Sequence, residues 1–203
     1  DDLTPTANEE AHAAGPFNGT ASAVHGGGAQ THNLFIYDYT ITDGVALKAS
    51  YAPSGLSGAV EGSTEYGIKY TGIDGLTVYA AMGENNDSSN GVDNSALAVV
   101  YAMGGLTVGY QVNESDYSTG TKDEDFTAIG VSYAVSDDLS VSLNSSTIDF
   151  ESSTLDDQEA TGVSFSYTSG GMTISGTHST IDNVAGSASA DNSGYEVNFS
   201  FAF

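Results

Sequence analysis

The chain has 203 residues, a formal charge of -24 and only three basic residues, Lys48, Lys69 and Lys122. Such acidity excludes nucleic acid as a partner, because phosphates would find almost nothing to neutralise them, and it argues against docking on an anionic membrane surface. The absence of Cys excludes disulfides, thiol catalysis and cysteine metal sites.

Residues 1–32 lack strand periodicity. Thr6 begins a short helical pattern through Glu9 and Glu10 to Ala14, ended by Gly15-Pro16, and a Gly/Ala/Ser-rich coil follows. Asp1-Asp2-Leu3-Thr4-Pro5 is polar and is not a signal peptide, so an exported form would be a mature chain or a fragment. From about residue 33 a period of two takes over, which sends successive side chains to opposite faces of a strand. It predicts about eleven strands: 33–41, 45–52, 64–71, 76–83, 95–102, 106–113, 126–134, 139–147, 160–168, 171–179 and 194–203. Leu106, Val108, Tyr110 and Val112 alternate with Thr107, Gly109, Gln111 and Asn113, for example, and Leu139, Val141 and Leu143 with Ser140, Ser142 and Asn144.

Two kinds of connection alternate strictly. Short turns such as Thr42-Asp43-Gly44 and Ser169-Gly170-Gly171 carry the Gly and Asp residues of tight hairpins. Long connections near 53–63, 84–94, 114–125, 148–159 and 180–193 hold much of the acid. An up-and-down meander therefore gathers the short turns at one end and the long loops at the other. One face of each strand is Ser, Thr, Gly, Asn and Gln with Asp38, Lys48, Lys69 and Glu196, while the aromatics fall on the other. A polar inside and an apolar outside describe a water-filled barrel in lipid; a soluble sandwich with its polar face in solvent shares the alternation. No stretch reaches the roughly 18 apolar residues of a membrane-crossing helix, which says nothing against strands that cross.

The closing series Tyr195, Val197, Phe199, Phe201 and Phe203 resembles the assembly signal of Gram-negative outer-membrane barrels, and Phe126 to Asp149 is similar to a late hairpin of general porins of the alphaproteobacterial type. The resemblance implies an all-β, antiparallel up-and-down transmembrane β-barrel. Eleven strands would be the C-terminal portion of a sixteen-stranded, trimeric porin, since such barrels close with an even number. Residues 1–32 would then be the third extracellular loop, which narrows the pore, and residues 33–203 the barrel strands. Localisation in the outer membrane of a Gram-negative bacterium, contact with lipid and lipopolysaccharide, and passive diffusion of small hydrophilic solutes and ions follow from the same resemblance, without catalysis or cofactor. It also implies an acidic cluster on the constriction loop, matched by Glu9 and Glu10, facing basic wall residues, matched by Lys48 and Lys69. The acidic loops predict mild cation selectivity and offer Glu84, Asp87, Asp123, Glu124 and Asp125 as Ca²⁺ ligands, without the spacing of a defined calcium loop. Rival readings are another outer-membrane barrel, an autotransporter or specific transporter, and a secreted β-rich adhesin or surface-layer module.

Overall fold

A computed structural model describes residues 35–53, 62–86, 91–120 and 122–202. Eleven strands form a single sheet in sequence order: β1 Phe35–Thr42, β2 Val45–Ala52, β3 Ser63–Ile73, β4 Leu76–Asn85, β5 Val92–Met103, β6 Leu106–Tyr117, β7 Glu124–Ala134, β8 Leu139–Phe150, β9 Gln158–Ser169, β10 Met172–Asp182 and β11 Asn192–Phe201. Every strand pairs antiparallel with its sequence neighbour. The all-β, up-and-down expectation is met, and the helix expected after Thr6 lies outside the described residues.

The short connections are as tight as their composition requires. Gly44, Gly75, Gly104 and Gly170 all adopt positive φ, which costs glycine nothing. Each turn also accepts a main-chain hydrogen bond from the next hairpin: Thr71 N–H to Gly44 O, Ala102 to Gly75, Ala134 to Gly105, Thr168 to Asp138 and Ala202 to Gly171, at 2.7–2.8 Å.

At the other end the strands outrun their expected limits. β5 begins at Val92, β6 runs to Tyr117 and β8 to Phe150. Outward apolar side chains give way there to Asp93, Asp116 and Asp149, so the hydrophobic period fades while the hydrogen-bonded ladder continues. Glu84, Glu114, Asp116, Glu124, Asp125, Asp149 and Glu159, assigned to loops from the sequence, therefore stand in strands.

The two faces differ in burial. Tyr66, Ile68, Leu97, Tyr110, Ile129, Tyr133, Leu143, Phe165, Tyr167 and Phe199 are exposed on one, whereas Glu65, Gln111, Asn113, Asn144 and Ser146 are buried on the other. A sandwich would bury the greasy face. Here the polar side chains crowd one another on the concave side and the apolar ones look outward, as a strand facing lipid requires.

Candidate functional site: the concave wall

The concave face divides into three sectors. On β1–β4 it is charged. Lys48 lies opposite Asp38 in register, with Nζ 3.9 Å from its carboxylate. Lys69 projects from the same face of β3, its ammonium 5.0 Å from the ring centre of Tyr79 on β4, a distance at which cation–π attraction acts. Two residues beyond Lys48 on β2, the Ser50 hydroxyl donates to the carboxylate of Glu65, four residues before Lys69 on β3, at 2.8 Å, and Glu65 is only 3% exposed.

On β5–β9, toward the long loops, an apolar cluster is set among the buried polar side chains Asn94, Asn113, Ser115, Ser146 and Gln158. Phe126, Ala128 and Ile148 form a buried cluster with Phe150 packed against it, and Val92, Ala98 and Ala160 are buried on the same face. This corrects the expectation of a uniformly polar inside with every aromatic outside: Tyr79, Tyr117, Phe126 and Phe150 all face inward. Parity gives the reason. Ile129, Val131 and Tyr133 occupy the outward odd positions of β7, so Phe126 falls on the even, inward set.

This cluster backs an ordered lip. The connections 151–157 and 183–191 are tied together by Asp156 N–H donating to Gly186 O at 3.0 Å and by the Asn183 amide donating to Asp157 O at 3.0 Å. Ala185 N–H donates to the side chain of Gln158 on β9 at 2.8 Å. A Cβ on Gly186, whose φ is +72°, would lie 2.7 Å from Leu155 and 3.1 Å from Phe150. Only glycine fits that approach.

On β7–β11, toward the short turns, the wall is a field of hydroxyls. One lateral row runs Thr107, Ser132, Ser142, Ser164, Thr177 and ends at Glu196. The next runs Ser140, Ser166, Ser175, Asn198. Ser142 and Ser164 are hydrogen-bonded, as are Thr168 and Thr173 at 2.9 Å and Asn198 with Glu196 at 2.8 Å.

Of the residues expected to line a pore, Asp38, Lys48 and Lys69 thus converge on one sector, and Glu196 stands apart on the last strand. Glu9 and Glu10 lie outside the described residues, as does the 1–32 loop. Glu65 and Tyr79 were missed, although parity with Lys69 and Lys48 marks both as inward. The carboxylates named for Ca²⁺ do not converge. Glu124 and Asp125 are consecutive in β7 and point to opposite faces, Asp123 instead accepts the Tyr117 N–H at 2.7 Å, and Asp87 lies outside the described residues. Among the described residues no group of three or more His, Asp or Glu side chains could hold a metal ion.

The sequence pattern described as Gram-negative porin matches residues 1–156. No curated protein matches the chain. Among solved structures, the anion-selective porin from Comamonas acidovorans superposes with a TM-score of 0.68 at 15% identity, over 84% of this chain and 59% of that one. OmpT, an outer membrane protein of Vibrio cholerae, gives 0.57 at 17% identity over 84% and 64%. A triple mutant of the Rhodopseudomonas blastica porin gives 0.56 at 20% identity over 84% and 55%. The chain therefore spans about three fifths of the length of these solved barrels.

Proposed function

Because the chain belongs to the Gram-negative porin family, we propose that its sheet forms most of the wall of an outer-membrane diffusion channel for small hydrophilic solutes and ions. The observation that carries this reading is the inversion of the faces: exposed Tyr, Leu, Ile and Phe on the convex side, polar and charged side chains on the concave side. Lipid covers the first and water wets the second. A channel of this kind needs no catalytic group, only width, a wet lining and a local field.

The field is set by the charged sector. Asp38, Lys48, Lys69 and Glu65 put both signs on one stretch of wall, and a transverse field there would orient dipolar solutes. Glu9 and Glu10, on a constriction loop formed by residues 1–32, would complete it from the opposite side. We further propose sixteen strands in the closed barrel, a homotrimer and mild cation selectivity. The support for the last is the net charge of -24 together with acidic strand ends at the long-loop mouth, which raise the local concentration of cations. One solved relative is named anion-selective, so the sign belongs to each chain's own charges.

The test is the complete porin reconstituted in a planar bilayer. Stepwise KCl conductance with a zero-current potential of the sign expected for cation preference is the expected result. Absence of steps overturns the channel, and an anion-signed potential overturns the selectivity.

A further inference from the structure

One residue of the convex face does not match its surroundings. His178 on β10 lies opposite Val163 on β9 and Tyr195 on β11, with Leu143 of β8 beyond Val163. All three neighbours are exposed large side chains of the greasy face. Ionisable residues at membrane depth are rare and usually face a bundle interior or a water-filled cavity; this one faces outward. Its Nδ1 lies 3.0 Å from the Gly194 carbonyl oxygen. A carbonyl only accepts, so Nδ1 carries the hydrogen, and the neutral ring presents Nε2 as an acceptor. Among the described residues nothing donates to Nε2. An acceptor turned toward hydrocarbon without a donor is costly.

Two apolar grooves meet at this ring. The first, of about 420 Å³, is lined chiefly by Ile129, Val131, Leu143 and Val163. The second, of about 320 Å³, runs over Gly176 between Val141, Phe165, Tyr195 and Val197. Gly176 provides the room for it: a Cβ there would lie 2.5 Å from the Phe165 ring. His178 and Val163 belong to both grooves. On the long-loop side the first groove ends at Ser145 and Thr161, and the Thr161 hydroxyl is hydrogen-bonded to that of Thr180 at 2.8 Å. Thr180 stands two residues beyond His178, roughly 7 Å along the strand. The order from the long-loop end is therefore hydroxyls, one acceptor, then bare hydrocarbon.

We propose that these grooves hold a membrane lipid whose acyl chain carries a hydroxyl close to its head group. The chain hydroxyl donates to Nε2 of His178, the hydrocarbon lies in the grooves on either side of the ring, and the head group rests against Ser145, Thr161 and Thr180. A plain acyl chain would fill the grooves and leave Nε2 unmet. A charged head would find no counter-charge in either groove. The site rests on the reading of the convex face as lipid-facing and names the lipid that this part of it selects.

The experiment uses the complete porin in phosphatidylcholine vesicles, a carrier lipid with no hydrogen-bond donor. The vesicles contain equal minor amounts of three uncharged probes: methyl β-hydroxymyristate, methyl myristate, and the O-methyl ether of the first, which cannot donate. The porin is floated with the vesicles and taken up in detergent, and the retained probes are measured by mass spectrometry. The hydroxylated probe is expected to be retained roughly three- to tenfold over each of the others, the ratio that one modest hydrogen bond supplies. His178→Phe keeps a ring of similar size without the acceptor and should bring the ratio close to one. His178→Gln, whose side-chain oxygen accepts, should keep part of the preference. No preference in the parent protein, equal retention of the alcohol and its ether, or a preference that survives in His178→Phe overturns the site. A porin that floats with the vesicles but retains none of the probes has these grooves covered by protein, which also overturns it. Failure to float, together with an absence of KCl steps, would overturn the channel reading itself.

Discussion

The Ser50 hydroxyl on β2 donates to the Glu65 carboxylate directly across the strand pair on β3, at 2.8 Å, on the concave wall. Hydrogen bonds to charged groups contribute more than neutral ones, about 1.5–3 kcal/mol. Ser50→Ala should therefore lower stability by roughly that amount, read as a shifted urea midpoint of the protein in lipid vesicles. Glu65→Gln keeps the shape and removes the charge, and it should move the zero-current potential away from cation preference. An unchanged potential would show that Glu65 does not reach the conducted ions.

Asp38 and Lys48 form the opposite case. They lie 3.9 Å apart, Asp38 mostly exposed and Lys48 about half so, where an ion pair contributes about 0–1 kcal/mol. Asp38→Asn is expected to leave the urea midpoint almost where it was. The same substitution strips a negative charge from the wall, so the salt gradient measurement should register what the unfolding curve does not.

The turns separate two costs of losing a glycine. Gly104 has φ +59° with open space where a Cβ would go, whereas at Gly75, φ +74°, the Cβ would sit 2.1 Å from the Ala102 carbonyl oxygen. Gly104→Ala should cost about 1–2 kcal/mol, the left-handed penalty alone. Gly75→Ala adds a collision with backbone that cannot rotate away, and its midpoint should fall clearly further. Equal shifts would mean that the second hairpin gives way freely.

Phe126 and Phe199 test the two faces. Phe126 is 1% exposed in the inner cluster and Phe199 is 62% exposed on the convex side. Phe126→Ala leaves a cavity and should cost about 3–5 kcal/mol. Lipid chains close around a shortened Phe199, so Phe199→Ala should lose only the transfer part, about 1.5–3 kcal/mol. The order of the two urea midpoints in vesicles decides the matter.

Strand existence was legible because a two-residue period cannot be produced by a helix, and the sense of each face was legible from what alternated with what. Strand ends were not, for a physical reason. At Val92–Ser95 and Glu114–Tyr117 the outward positions leave the apolar band, so Asp93, Glu114 and Asp116 interrupt the pattern although main-chain pairing needs no greasy side chain. The inward Phe126 was hidden by composition, since an aromatic in a barrel strand suggests lipid, and counting parity from Ile129 was the available correction. The three-residue turn at Val184–Gly186, and the lip it forms, depends on Asn183 and Ala185 adopting positive φ, which nothing in those residue types announces. Of the site, the convergence of Asp38, Lys48 and Lys69 followed from register.

The hoop of turn-to-hairpin bonds at the short-turn end is made entirely of main-chain atoms. Each turn carbonyl is therefore satisfied by the strand that follows its own hairpin, and the rim is stitched from one hairpin to the next without calling on any side chain. Side-chain variation elsewhere in the wall leaves those bonds in place.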